Sequence, residues 1–416
     1  MCANDGHTRS GTSDHRRQKR DSPPRSTQPQ IRVNALAGIH PEKLREFIEA
    51  AKSQKSWSGR ARKDHIEHYS QTDRKDNWDR KEHKLNLTNI SWCDMSWNPV
   101  RGCSRVSSGC ENCYAERIAA RFSVGPRMDG GEIILRKSGP SGPFIGFARM
   151  TKAGPRWTGR VELVKEKLDE PFRLKAGTKD GPLDPVRPKR IFVNSMSDLF
   201  HEGLSDGDID EVFAVMAIAR KHNFLVLTKR ANRMLDWFRR QSDAWKHGEI
   251  LATAQNIRDG AVVEDWPLPN VWLGVSVEDQ KTADERIPIL LKTPAAMRFV
   301  SYEPALGPVD FNRWLVPRCQ GCGDYRTRPV DLALDWVILG GESGPGARPC
   351  DIGWIGAAVK QCNDLVPCFV KQLGARPYEC LEGYGQWKFK SRSGSDPSEW
   401  PEDLRVREFP RMKPGE

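Results

Sequence analysis

Cys103, Cys110 and Cys113 lie in one short run, Trp97-Asn98-Pro99-Val100-Arg101-Gly102-Cys103 continuing to Cys110-Glu111-Asn112-Cys113-Tyr114. Thiolates are soft ligands that select zinc, copper(I) or iron–sulfur clusters, and a closed structural zinc site takes four protein ligands. A local set of three leaves one coordination position open and leans toward iron–sulfur chemistry. The alternative is zinc completed by a distant residue such as Cys93 or a histidine; Cys93 itself reads better as a small apolar core thiol. A second pair, Cys319-Gln320-Gly321-Cys322-Gly323, has the form of half a zinc knuckle. Zinc there needs two further ligands, for which Cys350, Cys362, Cys368 and Cys380 are available.

Polar residues recur where strands are expected to end: Asn194, Ser195 and Asp198; Thr228, Lys229 and Arg230; Ser276 and Glu278; Ser301 and Glu303; Glu342 and Ser343; Lys371 and Gln372. The β-branched and aromatic runs before them predict strands over Ile90–Trp97, Arg190–Asn194, Phe224–Thr228, Val271–Ser276, Met297–Ser301, Trp336–Gly340 and Cys368–Gln372. Helical periodicity falls between them, with Ile209, Val212, Phe213, Val215, Met216 and Ile218 in one stretch, Ala283–Leu291 in another and Ile352–Cys362 in a third. Repeated β/α units of this kind predict an α/β fold, a partial TIM-like (β/α) barrel of about six to seven parallel strands. In such barrels the active site stands on the C-terminal ends of the strands, so these polar groups are expected on one rim. Lys229, Glu303 and Lys371 are the candidate catalytic residues. Asn194, Asp198, Ser276, Gly340, Gly341, Glu342 and Ser343 are the candidate cofactor-binding residues, the glycines because they admit a ligand close to the backbone. Each has a plainer use as well, Asp198 orienting backbone amides and Glu303 capping a turn.

The 416 residues carry a net charge of +11, of which more than half falls early: residues 1–90 hold 19 Lys and Arg against 12 Asp and Glu. Residues 1–40 read as a disordered basic tail, poor in the aliphatic residues that offset ordering entropy. Residues 41–87 read as a helical, charged linker, with Leu44, Phe47, Ile48 and Ala51 at helical spacing after Pro41. The barrel is expected over 88–387 and an irregular tail over 388–416. A mean hydropathy of -0.65 and the lack of any long apolar run exclude a membrane-spanning helix, and the expected location is the cytoplasm, where thiols stay reduced. The basic arm makes nucleic acid an expected partner. No P-loop, serine or cysteine triad, or zinc-peptidase helix motif is present.

Trp97-Asn98-Pro99, the cysteine run ending Cys113-Tyr114-Ala115-Glu116, Asn194 to Asp198, Leu227 to Arg230, Leu273 to Asp279, Ser301 to Pro304 and Gly340 to Pro349 together resemble an uncharacterised family of phage and bacterial proteins, a domain of unknown function. That family is in turn similar to radical S-adenosylmethionine enzymes. The resemblance implies a 4Fe-4S cluster on Cys103, Cys110 and Cys113, S-adenosylmethionine bound at its open iron, Glu342 beside Gly340 and Gly341 receiving the cofactor's ammonium group, and an external electron donor. It implies an enzyme that reductively cleaves S-adenosylmethionine to modify a nucleobase or another phosphate-bearing substrate. Two features depart from those enzymes: the cysteines are spaced x6 then x2 rather than x3 then x2, and Gly-Gly-Glu follows a late strand rather than the second. A zinc-stabilised nucleic-acid-binding protein without catalysis is the alternative reading, and a cluster-bearing redox sensor a third.

Overall fold

Seven runs of apolar and β-branched residues pair as one all-parallel sheet: β1 (Met95–Trp97), β2 (Arg190–Val193), β3 (Asn223–Thr228), β4 (Val271–Val277), β5 (Met297–Tyr302), β6 (Trp336–Gly340) and β7 (Cys368–Gln372). The computed structural model describes residues 88–123, 127–129, 132–134, 142–173, 188–241, 247–263, 265–315, 333–380 and 385–410, all within the unit Ile66–Glu416. The strands are neighbours in chain order, so every crossover steps one strand in the same direction. The result is a curled half-barrel, mixed α/β, whose edges β1 and β7 do not pair with each other.

Each strand has a residue period of two, so its two faces carry different chemistry. Met95, Ile191, Val193, Val226, Leu273, Val275, Val300 and Leu339 face a large apolar core shared with the helices. That core includes Ile209, Val212 and Phe213 of α2 (Asp206–Ile218), Trp237 and Phe238 of α3 (Ala231–Gln241), Ile250 of α4 (His247–Ile257), Ile287 and Leu290 of α5 (Gln280–Lys292), and Ile355 of α6 (Ile352–Cys362). The concave face holds a second cluster of Phe192, Leu225, Trp272, Phe299, Trp336 and Phe369. Trp336 meets Trp272 at 6.3 Å and Phe299 at 5.9 Å between ring centroids. Gly274 makes room for this layer, since a Cβ there would stand 2.5 Å from the Phe299 ring.

Two residues further along the same face the character changes. Lys229 follows Leu225 and Leu227, Ser276 follows Trp272 and Gly274, Glu303 follows Phe299 and Ser301, and Lys371 follows Phe369. Alternation therefore delivers aromatic rings to the N-terminal half of the concave face and polar groups to the C-terminal rim.

The predicted strands and three predicted helices are present with small shifts at their ends; β1 is shorter than expected, beginning at Met95. Not expected were α1 (Tyr114–Arg121), α3, α4 and the hairpin Ala148–Thr151 with Gly154–Trp157. Ala119 and Ala120 of α1 pack against Ala148, with Phe144 and Trp157 beside them. The basic tail 1–40, the linker 41–87 with its Leu44–Ala51 helix, and Cys319 and Cys322 lie outside the described residues.

The described part of the C-terminal segment carries only short elements, and it is not a loose tail. Val370 N donates to Val406 O at 2.9 Å and Glu408 N to Cys368 O at 2.8 Å, so the chain pairs with the edge strand β7. Phe409 lies 5.0 Å from Phe369 and 5.7 Å from Trp336, with the Arg190 guanidinium 3.8 Å from its ring centroid. An open edge strand presents unpaired backbone groups, and this segment satisfies them. Among the described residues no helix is long and apolar enough to cross a membrane.

Candidate active site: a three-cysteine loop tied to the strand ends

Cys103 follows the two-residue strand Val100–Arg101, and Cys113 is the N-cap of α1, so the three cysteines occupy the connection that leads from β1 into the first helix. Gly102 enters this loop with a φ of +87°, and a Cβ there would stand 1.9 Å from Arg160 O, which restricts the position to glycine. Three charged side chains of the rim, all buried, then hold the loop.

The first is Arg230, directly after β3. Its Nη2 donates to Ser104 Oγ at 2.8 Å and Ser104 O at 3.2 Å, while Nη1 reaches Asp198 Oδ2 at 3.0 Å and lies 4.0 Å from Cys103 Sγ. The second is Glu278, at the end of β4 and 0% exposed. It accepts from Ser107 Oγ at 2.8 Å, from Arg286 Nη1 at 3.1 Å and from Lys229 Nζ. Gly109 rests on it: a Cβ at Gly109 would stand 2.4 Å from Glu278 Oε1. The third is Glu342, after β6, which accepts from Asn112 Nδ2 at 2.9 Å and from the Arg348 amide, Nε and Nη2 at 2.8, 3.0 and 2.6 Å. Glu116 on α1, paired with Arg105 and accepting from Trp157 N at 2.7 Å, braces the far side of the loop.

These anchors are ionised. Burial pushes the Glu278 carboxyl up, but the Lys229 and Arg286 charges outweigh it and hold it below the usual carboxylate range. Glu342 behaves alike: burial opposes, and the Arg348 hydrogen bonds bring it below that range. The thiols go the other way. Burial, reinforced by Asp198 and only partly opposed by Arg230, pushes Cys103 up to about 12, and burial also raises Cys113. The negative forms of the neighbouring cysteines would disfavour those of Cys103 and Cys113 further, so these two thiols keep their protons until a cation takes their place.

The cluster can be tested against these residues. The donor set fits in kind, being three soft ligands on one loop at the rim, with the Arg230 guanidinium 4.0 Å from Cys103 Sγ. The side chains as they stand do not converge: among the described residues, no group of three or more His, Cys, Asp and Glu is placed to hold a metal ion. Cys93 is not a fourth ligand in waiting. It is buried in the aromatic layer of the concave face, with its Sγ 3.8 Å from Ile90 O.

The rim residues fall into distinct groups. Lys229 Nζ donates to Ser276 Oγ at 2.7 Å and to Glu278, and Ser276 Oγ reaches Glu303 O at 3.2 Å. Glu303 Oε1 takes Lys371 Nζ at 2.5 Å and Gln372 Nε2 at 3.1 Å, and this pair remains about one-fifth exposed. Gly340 lets the Glu303 side chain lie against β6, its hypothetical Cβ meeting Glu303 Cδ at 3.4 Å. Gly341 serves close backbone packing on Leu373 O, and Ser343 begins the following turn half-buried. Asp198 has both carboxylate oxygens filled by Phe200 N, Thr228 Oγ1, Lys229 N and Arg230 Nη1 at 2.7–3.2 Å. In this state Asp198 and Glu342 act as clamps, with no oxygen left over for a ligand. Asn194 is different: at φ +61° it accepts from Val100 N at 3.2 Å, while its buried Nδ2 has no partner.

Ser107, Asn112, Glu116, Arg286 and Arg348 complete the site and were not picked out from the sequence. Ser107 and Asn112 have partners 171 and 230 residues away, and the pairs Glu116–Arg105, Arg286–Glu278 and Arg348–Glu342, 11, 8 and 6 residues apart, match no motif; the polar pair Ser107 and Asn112 inside the cysteine run was the one available cue. No curated protein and no solved structure matches the chain. A family model does, over residues 87–394, and by that match the chain belongs to the family described as protein of unknown function (DUF5131).

Proposed function

We propose that this protein is an iron–sulfur enzyme of radical S-adenosylmethionine type, with Cys103, Cys110 and Cys113 as ligands of a 4Fe-4S cluster and the half-barrel as part of a TIM-like barrel. The observation that carries the reading is the fixing of the three-cysteine loop to the C-terminal rim by Arg230, Glu278 and Glu342, one anchor on each of three strand ends. Burying three charges to position one short loop is costly unless that loop has work at the rim. When bound, the cluster would supply an electron, taken from an external donor, to the sulfonium of S-adenosylmethionine. The chain's own groups bind and orient. Asn194 Nδ2 has a hydrogen bond to give to a ligand acceptor. Lys371 and Glu303, partly exposed and hydrogen-bonded to one another, offer a cation and a carboxylate within reach of a substrate. Lys229 keeps Ser276 and Glu278 in register below them. The substrate class is a nucleobase or another phosphate-bearing molecule, and the location the cytoplasm.

The test is metal and sulfide analysis with an absorption spectrum on protein purified without oxygen. Brown protein holding about four irons, lost in Cys110→Ala while circular dichroism is unchanged, is the expected result. Colourless protein with stoichiometric zinc, still without iron after anaerobic reconstitution, refutes it and favours a zinc-stapled nucleic-acid-binding protein. Zinc at Cys319 and Cys322 is read out by the same analysis in Cys319→Ser.

A further inference from the structure

The outer face of α1 is apolar where a surface helix is ordinarily polar. Tyr114, Ile118 and Phe122, at i, i+4 and i+8, are 45%, 37% and 49% exposed, while the alanines of the opposite face pack on the hairpin Ala148–Trp157. Successive members of this stripe are about 6 Å apart along the helix axis. The stripe begins at the residue after Cys113, so whatever lies on it leads to the cysteine loop.

Beside the stripe, α1 and the hairpin enclose a cavity of about 550 Å³ whose wall includes Cys113, Arg117, Arg156 and Pro345. The acidic residues in that wall are spent: Glu116 on Arg105, and Glu111 on Arg348 at 3.3 Å. Two cations of the wall, Arg117 and Arg156, are not. Arg117 Nη1 donates to Pro345 O at 2.9 Å and Arg156 Nη1 to Pro155 O at 2.6 Å, carbonyls that carry no counter-charge. Arg149 is cross-strand partner of Arg156 in the hairpin, which sets two like charges side by side. Adjacent like charges oppose folding, so such a pair is favoured only where an anion compensates.

We propose that this surface is a binding track for single-stranded nucleic acid, with Tyr114 and Phe122 as stacking platforms and Arg117, Arg149 and Arg156 as phosphate contacts, delivering a base to the cysteine loop. A single strand fits better than a duplex, because exposed ring faces gain from unpaired base faces, which a duplex keeps stacked internally. A single strand supplies a phosphate and a flat base at every step, which matches cations and ring faces together, whereas a run of acidic residues matches the cations alone. The inference deepens the proposed function by naming its substrate class and rests on that reading only for the chemistry done on the base; the track itself needs no cluster.

Fluorescence anisotropy of a short labelled oligonucleotide with the full-length chain, as DNA and as RNA across a salt series, tests it. Residues 1–87 are common to all variants, so differences report the track. Phe122→Ala is expected to weaken binding roughly tenfold, the loss of one stacked base. Arg117→Ala with Arg156→Ala is expected to lower the slope of log affinity against log salt by about 1.4, two phosphate contacts of a single strand. Phe122 is exposed and Arg117 and Arg156 make no ion pair, so these variants are expected to fold, checked by circular dichroism. Wild-type affinity in both variants overturns the proposal, as does equal affinity for duplex or for a polyglutamate of equal charge. Cys110→Ala protein that lacks iron but keeps its affinity upholds the track, and colourless wild-type protein with the same affinities removes the cluster reading alone.

Discussion

Replacing Glu278 by Gln isolates the anchor on which the loop most depends. The carboxylate is wholly buried and receives Arg286, which is 7% exposed, Lys229, which is 18% exposed, and Ser107 of the cysteine loop. Removing one partner of a buried ion pair costs about 3–5 kcal/mol, because the other charge stays behind without compensation. Two factors reduce this. The Gln carbonyl still accepts one hydrogen bond, returning about 1 kcal/mol, and Lys229 has enough exposure to turn its ammonium toward water. The expected loss is therefore about 2–3 kcal/mol. Urea titration followed by tryptophan fluorescence measures it, and alkylation rates at Cys103, Cys110 and Cys113 under native conditions measure the local effect. The amide would turn an N–H toward Ser107 or Arg286, so the loop should loosen and its thiols react faster. A stability change below about 0.5 kcal/mol together with unchanged thiol reactivity would refute the anchoring argument.

Further expectations follow from single contacts. Gly341→Ala places a Cβ 2.4 Å from Leu373 O, a backbone atom that cannot rotate away, and should cost about 1–3 kcal/mol in the same titration. Phe409→Ala removes the ring seated on Phe369 and Trp336 and should cost about 1–2 kcal/mol, with faster proteolysis near the C-terminus as the second readout. Acid should release the loop. Glu278 and Glu342 have carboxyls held below their unfolded values, so the stability they confer is complete above about pH 4.5 and is lost as pH falls through the lower folded values. Thiol exposure measured from pH 6 to pH 3 should rise in that window in wild-type protein, and less in Glu278→Gln, whose anchor no longer titrates.

Local pattern carried most of the fold. Trp336–Gly340, Cys368–Gln372 and Ile352–Cys362 have the bounds that their hydrophobic runs imply, because a strand buried on both faces and a crossover helix both write their burial into consecutive residues. Helix α1 was not read from the sequence although Tyr114, Ile118 and Phe122 stand at helical spacing; what the pattern hides is the buried face, which is the alanine side and not that of the large apolar residues. The C-terminal segment was legible as irregular but not as part of the sheet, since pairing with β7 needs no periodicity of its own.

For the site, residue types and strand-end positions were enough to bring Asn194, Lys229, Ser276, Glu303, Glu342 and Lys371 to one rim and to single out the three cysteines as candidate ligands. Alternation along a strand and the shared direction of parallel strands make that outcome a property of the sequence. Partnership is another matter. Which of these groups are spent as clamps, as Asp198 and Glu342 are, and which keep a hydrogen bond to give, as Asn194 does, depends in part on donors far away in the chain, Thr228 on Asp198 across 30 residues and Asn112 on Glu342 across 230. A carboxylate reads the same in sequence whether it is saturated or free; only the packing of loop on rim, which sets distance and desolvation together, decided it here.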